Sequence, residues 1–295
     1  MRKGQPQRRS LKLYFHILIT NFIMRVKELL QSVLCRCVIE SDLNRIKKAI
    51  NKYSVISFDI FDTLLQRKVS TPSDVFDLVE KEYNKLSSIP IRGFKQIRIE
   101  AELKSKKQSL TEETNIYSIY NMLPYDKEVR DLLLQLELKI ERIELSARQE
   151  IKALYDYAAF LRKEVIIISD MYLPVGFIEE ILYANGYRYH SKLYVSSATG
   201  VLKSTGNMFR FVLKNTGYRT QDVLHIGDNI LGDYICPKSL KIKSICSASP
   251  WSICFGQGLM RSYRCFLPIC CPSSFCTECK RVLPFRRWLC HYQRC

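Results

Sequence analysis

Short apolar segments bounded by turn residues recur through the middle of the chain. Each has the length of a β-strand and is mostly apolar, which is typical of strands buried on both faces of a sheet. Five segments have this pattern, the last being the weakest: residues 55–60, 165–168, 192–195, 223–226 and 241–245. We therefore predict five buried strands.

Helical patterns lie between these segments. Leu173 and Pro174 begin one, which ends near Gly186, and another covers residues 206–216 and is closed by Gly217. Proline suits the first turn of a helix, and glycine suits the position just after its last turn. Strands that alternate with helices predict an α/β fold, in which helices cover both faces of a Rossmann-like parallel sheet.

The first and second predicted strands are separated by a long segment without a convincing strand. Thr71 and Pro72 are typical of a helix start. Further helical patterns follow at residues 94–109, 115–123 and 126–163, the last being long enough to be broken midway. The segment is therefore predicted to be helical throughout.

This helical insert is predicted to form a cap, residues 67–163. The core would then consist of residues 53–66 and 164–250. Ligands bind at the carboxyl ends of the strands in an open parallel sheet, so a cap inserted after the first strand would cover that edge. Such a cap would exclude water and select the substrate.

Composition and charge set this middle part apart from the two ends. The chain has 295 residues, of which 47% are hydrophobic and 25% charged, as is typical of a globular protein. The net charge of +17 lies in the ends: residues 1–52 hold 12 Lys and Arg against 3 Asp and Glu, and residues 235–295 hold 10 against 1. We predict a basic helical segment at residues 1–52 and a basic cysteine-rich tail at residues 251–295.

The N-terminal segment has no stretch long enough to span a bilayer. Its most apolar part, residues 13–24, is shorter than the roughly 20 residues that a span requires. Apolar positions at helical spacing between Tyr14 and Val33 predict a helix that packs on the domain, and a helix resting on an anionic membrane surface is the alternative. No nucleic-acid-binding motif accompanies the basic charge, so no specific nucleic-acid partner is expected.

Cysteine is concentrated in the tail. Residues 38–235 contain no cysteine, which gives no support for secretion, and we predict a cytoplasmic location. Cys276 and Cys279 have the spacing of half a zinc site, and Cys290, His291 and Cys295 offer further ligands. A disulfide framework and an out-of-frame or recently acquired extension are the alternatives for this tail.

Polar side chains follow four of the predicted strands. Asp59 ends the first strand and Ser169 follows the second. Lys203 comes after the third, and Asp228 and Asp233 come after the fourth. Because parallel strands end at a common edge, these side chains are expected to converge. Carboxylates that are buried together need cations, so the three aspartates indicate a Mg²⁺ site beside the fixed charge of Lys203.

This set of groups suits phosphoryl transfer. A carboxylate can attack phosphorus to form an aspartyl-phosphate, while a metal ion and a lysine balance the charge of the phosphoryl oxygens. Lys192 is the alternative to Lys203 as the lysine that balances this charge. Asp170 is expected to serve the loop or cap a helix, and His225 is expected to be a satisfied histidine within a strand.

The same residues resemble the four motifs of the haloacid dehalogenase (HAD) superfamily. Those motifs are an aspartate with a threonine four residues later, a Ser or Thr ending the second strand, a lysine, and Gly-Asp followed by another acid. The likeness covers roughly residues 53–250 and implies a HAD-like core. It also implies roles, which follow in chain order: Asp59 is the nucleophile and a metal ligand, Ser169 binds phosphate, Lys203 orients nucleophile and phosphate, Asp228 holds the metal, and Asp233 assists it.

Local strings resemble one bacterial branch of that superfamily. They are residues 57–65, 168–174 and 225–229, together with residues 98–102 and 115–120 of the predicted cap. Members of the branch are predicted hydrolases that accompany, or are fused to, glycosyltransferases of surface-polysaccharide synthesis. The resemblance therefore suggests a glycosyltransferase as a partner.

One position departs from the pattern of the superfamily's phosphatases. They carry a second aspartate two residues after the nucleophile, where it acts as the acid and base. Phe61 occupies that position here, and Asp62 follows it. One residue along an extended chain turns the side chain to the opposite side, so Asp62 inherits the role only if the backbone bulges. The metal ligand of the family at Phe61 is the backbone carbonyl, which any residue supplies.

The sequence thus predicts a Mg²⁺-dependent phosphohydrolase that acts on a small phosphorylated metabolite such as a sugar phosphate. The alternative is an accessory domain that keeps the fold and binds a phosphorylated ligand or a glycosyltransferase without turnover. A third hypothesis is a membrane-surface or nucleic-acid binder that depends on the basic ends.

Overall fold

A computed structural model of the chain describes residues 39–40 and 42–247. Six strands form one sheet: β1 Ile39–Glu40, β2 Val55–Phe58, β5 Glu164–Ser169, β6 Lys192–Val195, β7 Val223–Gly227 and β8 Lys243–Ser247. Their order across the sheet is β1-β8-β7-β2-β5-β6, and every neighbouring pair is parallel. The predicted α/β fold class with a parallel sheet is confirmed.

The helices lie between the strands along the chain. They are α1 Leu43–Lys52, α2 Asp74–Leu86, α3 Phe94–Gln108, α4 Ile116–Asn121, α5 Lys127–Glu144, α6 Gln149–Phe160, α7 Val175–Ala184, α8 Ser196–Thr199, α9 Asn207–Thr216 and α10 Cys236–Ser239. A 3₁₀ turn covers Thr220–Asp222, and a π-helical turn covers Ile230–Ile235.

The centre of the sheet is buried and mostly apolar, with Ser57 and His225 as its polar residues. All residues of β2 and β7 are buried. Ile56 of β2 is in register with Val165 of β5 on one side and with Leu224 of β7 on the other. This position makes β2 the central strand, so the residue that follows it lies in the middle of the carboxyl edge.

The insert after β2 differs from the prediction in one respect, because it begins and ends on a short antiparallel ribbon. Strands β3 Leu65–Arg67 and β4 Leu145–Ala147 pair in the register Leu65 to Ala147. Helices α2 to α5 lie between the two strands along the chain. The ribbon also supplies the break within residues 126–163, since β4 separates α5 from α6.

The last helix of the predicted cap segment lies beside the sheet. Helix α6 contacts both β5 and α1, and Tyr157 Oη donates a hydrogen bond of 2.9 Å to Asn51 Oδ1. The predicted core and cap boundaries stay predictions.

Part of the predicted terminal structure lies outside the described residues. Within residues 1–52 the structure describes α1, whose N-cap residue Asp42 accepts a hydrogen bond from the amide of Asn44. The predicted N-terminal amphipathic pattern at residues 14–33 and the cysteine-rich tail at residues 251–295, with its zinc hypothesis, lie beyond the described part. Within residues 39–40 and 42–247, no helix combines the length and the apolar character needed to cross a membrane.

Candidate active site

Asp59 lies at the centre of the carboxyl edge, directly after β2. Its backbone amide donates a 2.9 Å hydrogen bond to the carbonyl of Ile226 in β7, which continues the pairing of the two strands by one residue. Its side chain is buried, with the residue 5% exposed. Burial raises the pKa of Asp59 to about 7, although the ammonium of Lys203 opposes the shift.

Lys203 lies in the loop between α8 and α9 and reaches into this edge. Its Nζ is 2.5 Å from Asp59 Oδ1 and 2.6 Å from Asp233 Oδ1. Burial disfavours the charged form of Lys203, but the carboxylates of Asp233 and Asp59 outweigh burial and raise its pKa. Lys192, the rival in the sequence, is an exposed residue of β6.

Asp233 lies on the π-helical turn and is completely buried. Its Oδ1 accepts hydrogen bonds from Lys203 Nζ and from His225 Nε2, the latter at 3.0 Å, and its Oδ2 accepts the amide of Asn229 at 2.9 Å. Burial disfavours its charge, but Lys203 and His225 lower the pKa of Asp233 below its usual range. A Cβ at Gly227 would overlap this carboxyl group, so the motif requires glycine there.

His225 links Asp233 to the central strand. Because the Asp233 carboxylate only accepts, His225 Nε2 carries the proton, and Nδ1 accepts a 2.9 Å hydrogen bond from Ser57 Oγ. Burial lowers the pKa of His225, against the opposing effect of Asp233, and so favours the neutral ring. His225 thus orients Asp233, a role beyond the satisfied strand histidine expected from the sequence.

Asp228 completes the cluster after β7. Thr63 Oγ1 donates to Asp228 Oδ1 at 3.5 Å. Carboxylate oxygens of Asp59, Asp228 and Asp233 all lie within 4.8 Å of one another. Burial, with the charges of Asp59 and Asp233, raises the pKa of Asp228 well above its ordinary value.

The charges of this cluster do not balance without a cation. Three carboxylates face one ammonium, and the raised pKa values of Asp59 and Asp228 reflect negative charge that burial leaves uncompensated. An oxygen-rich, acidic set of ligands suits Mg²⁺, which is bound in proteins by a few carboxylates together with substrate phosphate and water. The residues present therefore fit a divalent cation.

Ser169 is the last residue of β5, next to β2 in the sheet. It is 1% exposed, and its Oγ has no hydrogen-bond partner among the residues that the structure describes. A buried hydroxyl without a partner is costly, so its presence calls for an explanation. A bound anion such as phosphate would supply the missing acceptor.

The chain turns sharply after Asp59, which changes the expectation for Asp62. The carbonyl of Ile60 accepts the amides of both Thr63 and Leu65, at 3.2 and 2.8 Å. Asp62 has a positive φ of 59°, so this stretch is a turn instead of the extended chain assumed from the sequence. Burial raises the pKa of Asp62, against the charges of Arg67 and Arg148.

The ring of Phe61 packs against an arginine. The guanidinium carbon of Arg67 lies 4.8 Å from the centre of the Phe61 ring, and Arg67 also forms two 3.1 Å hydrogen bonds with Glu141 of α5. Arg148 donates to the carbonyl of Asp62 at 2.8 Å. The charge of Asp62 also contributes, after burial and the charges of Asp59 and Asp233, to the raised pKa of Asp228.

A buried ion pair joins two of the inserted helices, and its pairing could not be expected from the sequence pattern. Arg98 of α3 forms hydrogen bonds of 2.8 and 2.9 Å with Glu137 of α5, and both side chains are fully buried. Tyr120 donates to Glu137 at 2.6 Å. Tyr172, from the loop after β5, also donates to Glu137, at 3.3 Å, so the pair connects the insert with the core loop.

Asp170 follows Ser169 and has a definite partner. Its two carboxylate oxygens accept the backbone amide of Lys203, at 2.9 and 3.0 Å. This agrees with the expectation of a loop-stabilising acid, and it shows that the loop concerned is the one that carries Lys203.

Comparison with protein-family models and with curated proteins gave no match. Among solved structures, the chain is similar to the HAD hydrolase YfnB of Bacillus subtilis in a magnesium-bound form, with 16% identity, a TM-score of 0.46 and coverage of 65% of this chain and 86% of that one. It is also similar to a 2-haloacid dehalogenase of Pseudomonas syringae, with 13% identity, a TM-score of 0.47 and coverage of 64% of this chain and 84% of that one. A HAD phosphatase of Thermococcus onnurineus has 15% identity, a TM-score of 0.46 and coverage of 64% of this chain and 83% of its own. Assignment of a function therefore depends on the residues themselves.

Proposed function

We propose that the protein is a Mg²⁺-dependent phosphohydrolase that acts on a small phosphorylated metabolite through an aspartyl-phosphate at Asp59. The observation that carries the proposal is the cluster of Asp59, Asp228 and Asp233 around the buried ammonium of Lys203. Such a cluster is costly to fold unless it binds charged groups, because each buried carboxylate must be neutralised.

In the proposed reaction, a carboxylate oxygen of Asp59 attacks phosphorus, and the bond from phosphorus to the leaving oxygen breaks. Lys203 holds Asp59 by its hydrogen bond of 2.5 Å, so that the nucleophile is oriented before the substrate binds. Water then attacks the phosphorus of the aspartyl-phosphate, which releases inorganic phosphate and restores the Asp59 carboxylate.

Asp62 is proposed to move the proton in both steps. In the first step its protonated form gives a proton to the leaving oxygen, and in the second its carboxylate takes a proton from water. The raised pKa of Asp62, caused by burial, favours the protonated form that the first step needs.

The metal would be held by Asp59 and Asp228, together with the backbone carbonyl of Phe61, with Asp233 assisting. When bound, Mg²⁺ supplies charge neutralisation to the phosphoryl oxygens. Asp233 is engaged by Lys203 and His225, so its main contribution is to hold the ammonium in place.

Ser169 is proposed to bind the phosphoryl group. Its buried Oγ lacks a partner among the described residues, and a phosphoryl oxygen would accept a hydrogen bond from the hydroxyl. Lys203 would provide the second contact to the same group. Ser169 ends a strand and Lys203 lies in a loop of the same edge, so the two side chains would bind the phosphate from separate directions.

A second candidate is favoured by Phe61. Without an aspartate at this position, the chain would be an accessory domain that binds a phosphorylated ligand or acts with a glycosyltransferase in surface-polysaccharide synthesis, without turnover. We also propose that the substrate is a sugar phosphate, which follows from the family resemblance. A cytoplasmic location is proposed from the composition.

Turnover of a generic aryl phosphate in the presence of Mg²⁺ tests the proposal. We expect hydrolysis by the intact chain and its loss in Asp59→Asn, with Asp126→Asn at the start of α5 as the matched control. The accessory-domain alternative predicts no turnover by the intact chain and a gain of turnover in Phe61→Asp.

A further inference from the structure

One side chain of the inserted segment, that of Glu112, binds the loop that carries Lys203. This loop, residues 200–206, connects α8 to α9. Glu112, between α3 and α4, directs its carboxylate at the loop: Oε2 accepts the amide of Leu202 at 2.8 Å and lies 2.8 Å from the hydroxyl of Thr205. Oε1 accepts Asn207 Nδ2 at the start of α9.

The backbone contact of Glu112 adds to these bonds. Its amide donates to the carbonyl of Gly200 at 3.0 Å. Gly200 has a φ of 73°, and a Cβ at this position would lie 3.0 Å from Thr111 Cγ2. The two segments thus lie in direct contact, and a glycine is required where they meet.

The backbone of Lys203 is held between two carboxylates. The amide before it, that of Leu202, donates to Glu112 of the insert, and its own amide donates to Asp170 after β5. Successive amides bound in this way fix the direction in which the Lys203 side chain leaves the loop. That direction sets whether Nζ reaches Asp59.

Other contacts hold the loop without Glu112. The amide of Met208 donates to the carbonyl of Leu202 at 3.0 Å, and Cys236 Sγ donates to the carbonyl of Ser204 at 3.0 Å. Removal of the Glu112 carboxylate should therefore loosen the loop and leave the fold intact.

We infer that Glu112 is a positioning residue for the reaction of Asp59, because it fixes loop 200–206 so that Lys203 reaches Asp59 when the inserted segment is docked. The inference rests on the proposed function for its catalytic consequence. Glu112 touches neither Asp59 nor the Lys203 ammonium, and it acts through the backbone of the loop. The contact between the insert and the loop is then coupled to the placement of Lys203 beside Asp59.

Three variants of the full chain separate positioning from folding. Glu112→Ala removes all of the carboxylate bonds. Glu112→Gln keeps one oxygen, which can still accept from Leu202 and Thr205, and Glu112→Asp keeps the charge but is too short to reach the loop. Glu100→Ala is the control, since Glu100 is an exposed residue of α3 that bonds to Gln96.

The first readout is the acylation rate of Lys203 by an amine-reactive reagent, located by mass spectrometry, which needs no turnover. We expect about a tenfold faster reaction in Glu112→Ala and Glu112→Asp, because a loosened loop releases the amine. Glu112→Gln and Glu100→Ala should react as the unaltered chain does. Equal rates in Glu112→Ala and the unaltered chain would overturn the inference.

The second readout is steady-state hydrolysis of the aryl phosphate with Mg²⁺. A misplaced Lys203 should lower kcat by about 10- to 100-fold in Glu112→Ala with little change in KM, and Glu112→Gln should recover most of the loss. A rise in KM with unchanged kcat, or a Gln variant as slow as the Ala variant, would contradict positioning. Absence of turnover in the unaltered chain would contradict the proposed function. If acylation still responds as expected, the conclusion that Glu112 positions Lys203 is supported independently.

Discussion

Lys203 Nζ lies 2.5 Å from Asp59 Oδ1, and the same ammonium lies 2.6 Å from Asp233 Oδ1. One buried ammonium is thus shared by two of the three carboxylates that converge at the edge of the sheet. Asp228 accepts a hydrogen bond from the hydroxyl of Thr63, and burial with the repulsion of Asp59 and Asp233 outweighs the attraction of Lys203 and raises its pKa. This arrangement accounts for the fit of a divalent cation beside Asp59 and Asp228.

Replacement of Lys203 by Met should destabilise the protein and stop turnover. Removal of one partner from a buried ion pair leaves unpaired charge, which costs about 3–5 kcal/mol of unfolding free energy. Urea unfolding near neutral pH measures the loss. Lys192→Met is the control, since Lys192 is exposed, and equal stability of the two variants would contradict the role given to Lys203.

Stabilisation by Mg²⁺ should grow as the pH rises. The pKa of Asp59 is raised by burial to about 7, so in the absence of metal its contribution favours folding below its unfolded pKa and is lost as the pH rises through about 7. Mg²⁺ binds the carboxylate form of Asp59 and must displace the proton that this group carries at low pH. Its affinity should therefore increase about tenfold per pH unit for each proton displaced.

The measurement is the change in Tm caused by Mg²⁺ at about pH 5.5 and about pH 8, where the larger change is expected at the higher pH. Asp228→Asn serves as the control, because it removes a proposed ligand and should abolish most of the change at both values. A Tm change that is independent of pH, or one that persists in Asp228→Asn, would contradict a metal site at this cluster.

The pair of Arg98 and Glu137 should be essential for the stability of the insert. Glu137→Gln removes the fully buried partner of Arg98 and leaves the guanidinium only the partly exposed carboxylate of Glu102, so it should cost up to about 3–5 kcal/mol. Replacement of both residues, Arg98→Met with Glu137→Leu, should cost less, because no unpaired charge remains. Urea unfolding of the single and double variants gives both values.

An exposed ion pair provides the comparison for this prediction. Arg142 and Glu180 lie 2.7 Å apart, with side chains 52% and 65% exposed. Glu180→Gln should change stability by at most about 1 kcal/mol. A loss in Glu137→Gln no greater than in Glu180→Gln would show that the buried pair is not important for folding.

Asp62 should be required for efficient turnover if it moves protons. Asp62→Asn keeps the shape of the side chain but removes its acid and base chemistry, and should lower kcat by about 10²- to 10⁴-fold. Steady-state hydrolysis of the aryl phosphate at saturating Mg²⁺ measures the effect. Asp131→Asn, on the exposed side of α5, is the control, and an Asp62→Asn variant as active as this control would remove Asp62 from the mechanism.

The sheet could be predicted from the sequence where apolar runs are long enough. The run at residues 223–226 corresponds to β7 almost residue for residue, because a strand buried on both faces needs no alternation. Strands β1, β3 and β4 have two or three residues each, too few for a pattern. Their pairing depends on chain segments that meet only in the folded protein.

The candidate site, like the sheet, could be predicted from the sequence only in part. The meeting of Asp59 and Lys203 could be expected because each follows a parallel strand and such strands end at one edge. The conformation of Asp62 could not, since its positive φ arises from the turn around the Ile60 carbonyl. Glu112 carries no sequence signal at all, because its partners are backbone and side-chain groups about 90 residues away in the chain.

Trapping of the covalent intermediate tests the central claim most directly. Borohydride reduces an aspartyl-phosphate to homoserine, which mass spectrometry can place at a single residue. During turnover of an aryl phosphate with Mg²⁺, we expect homoserine at position 59, dependent on both substrate and metal. Turnover that continues without homoserine at position 59, or with the reduced residue at another aspartate, would contradict the role of Asp59 as the nucleophile.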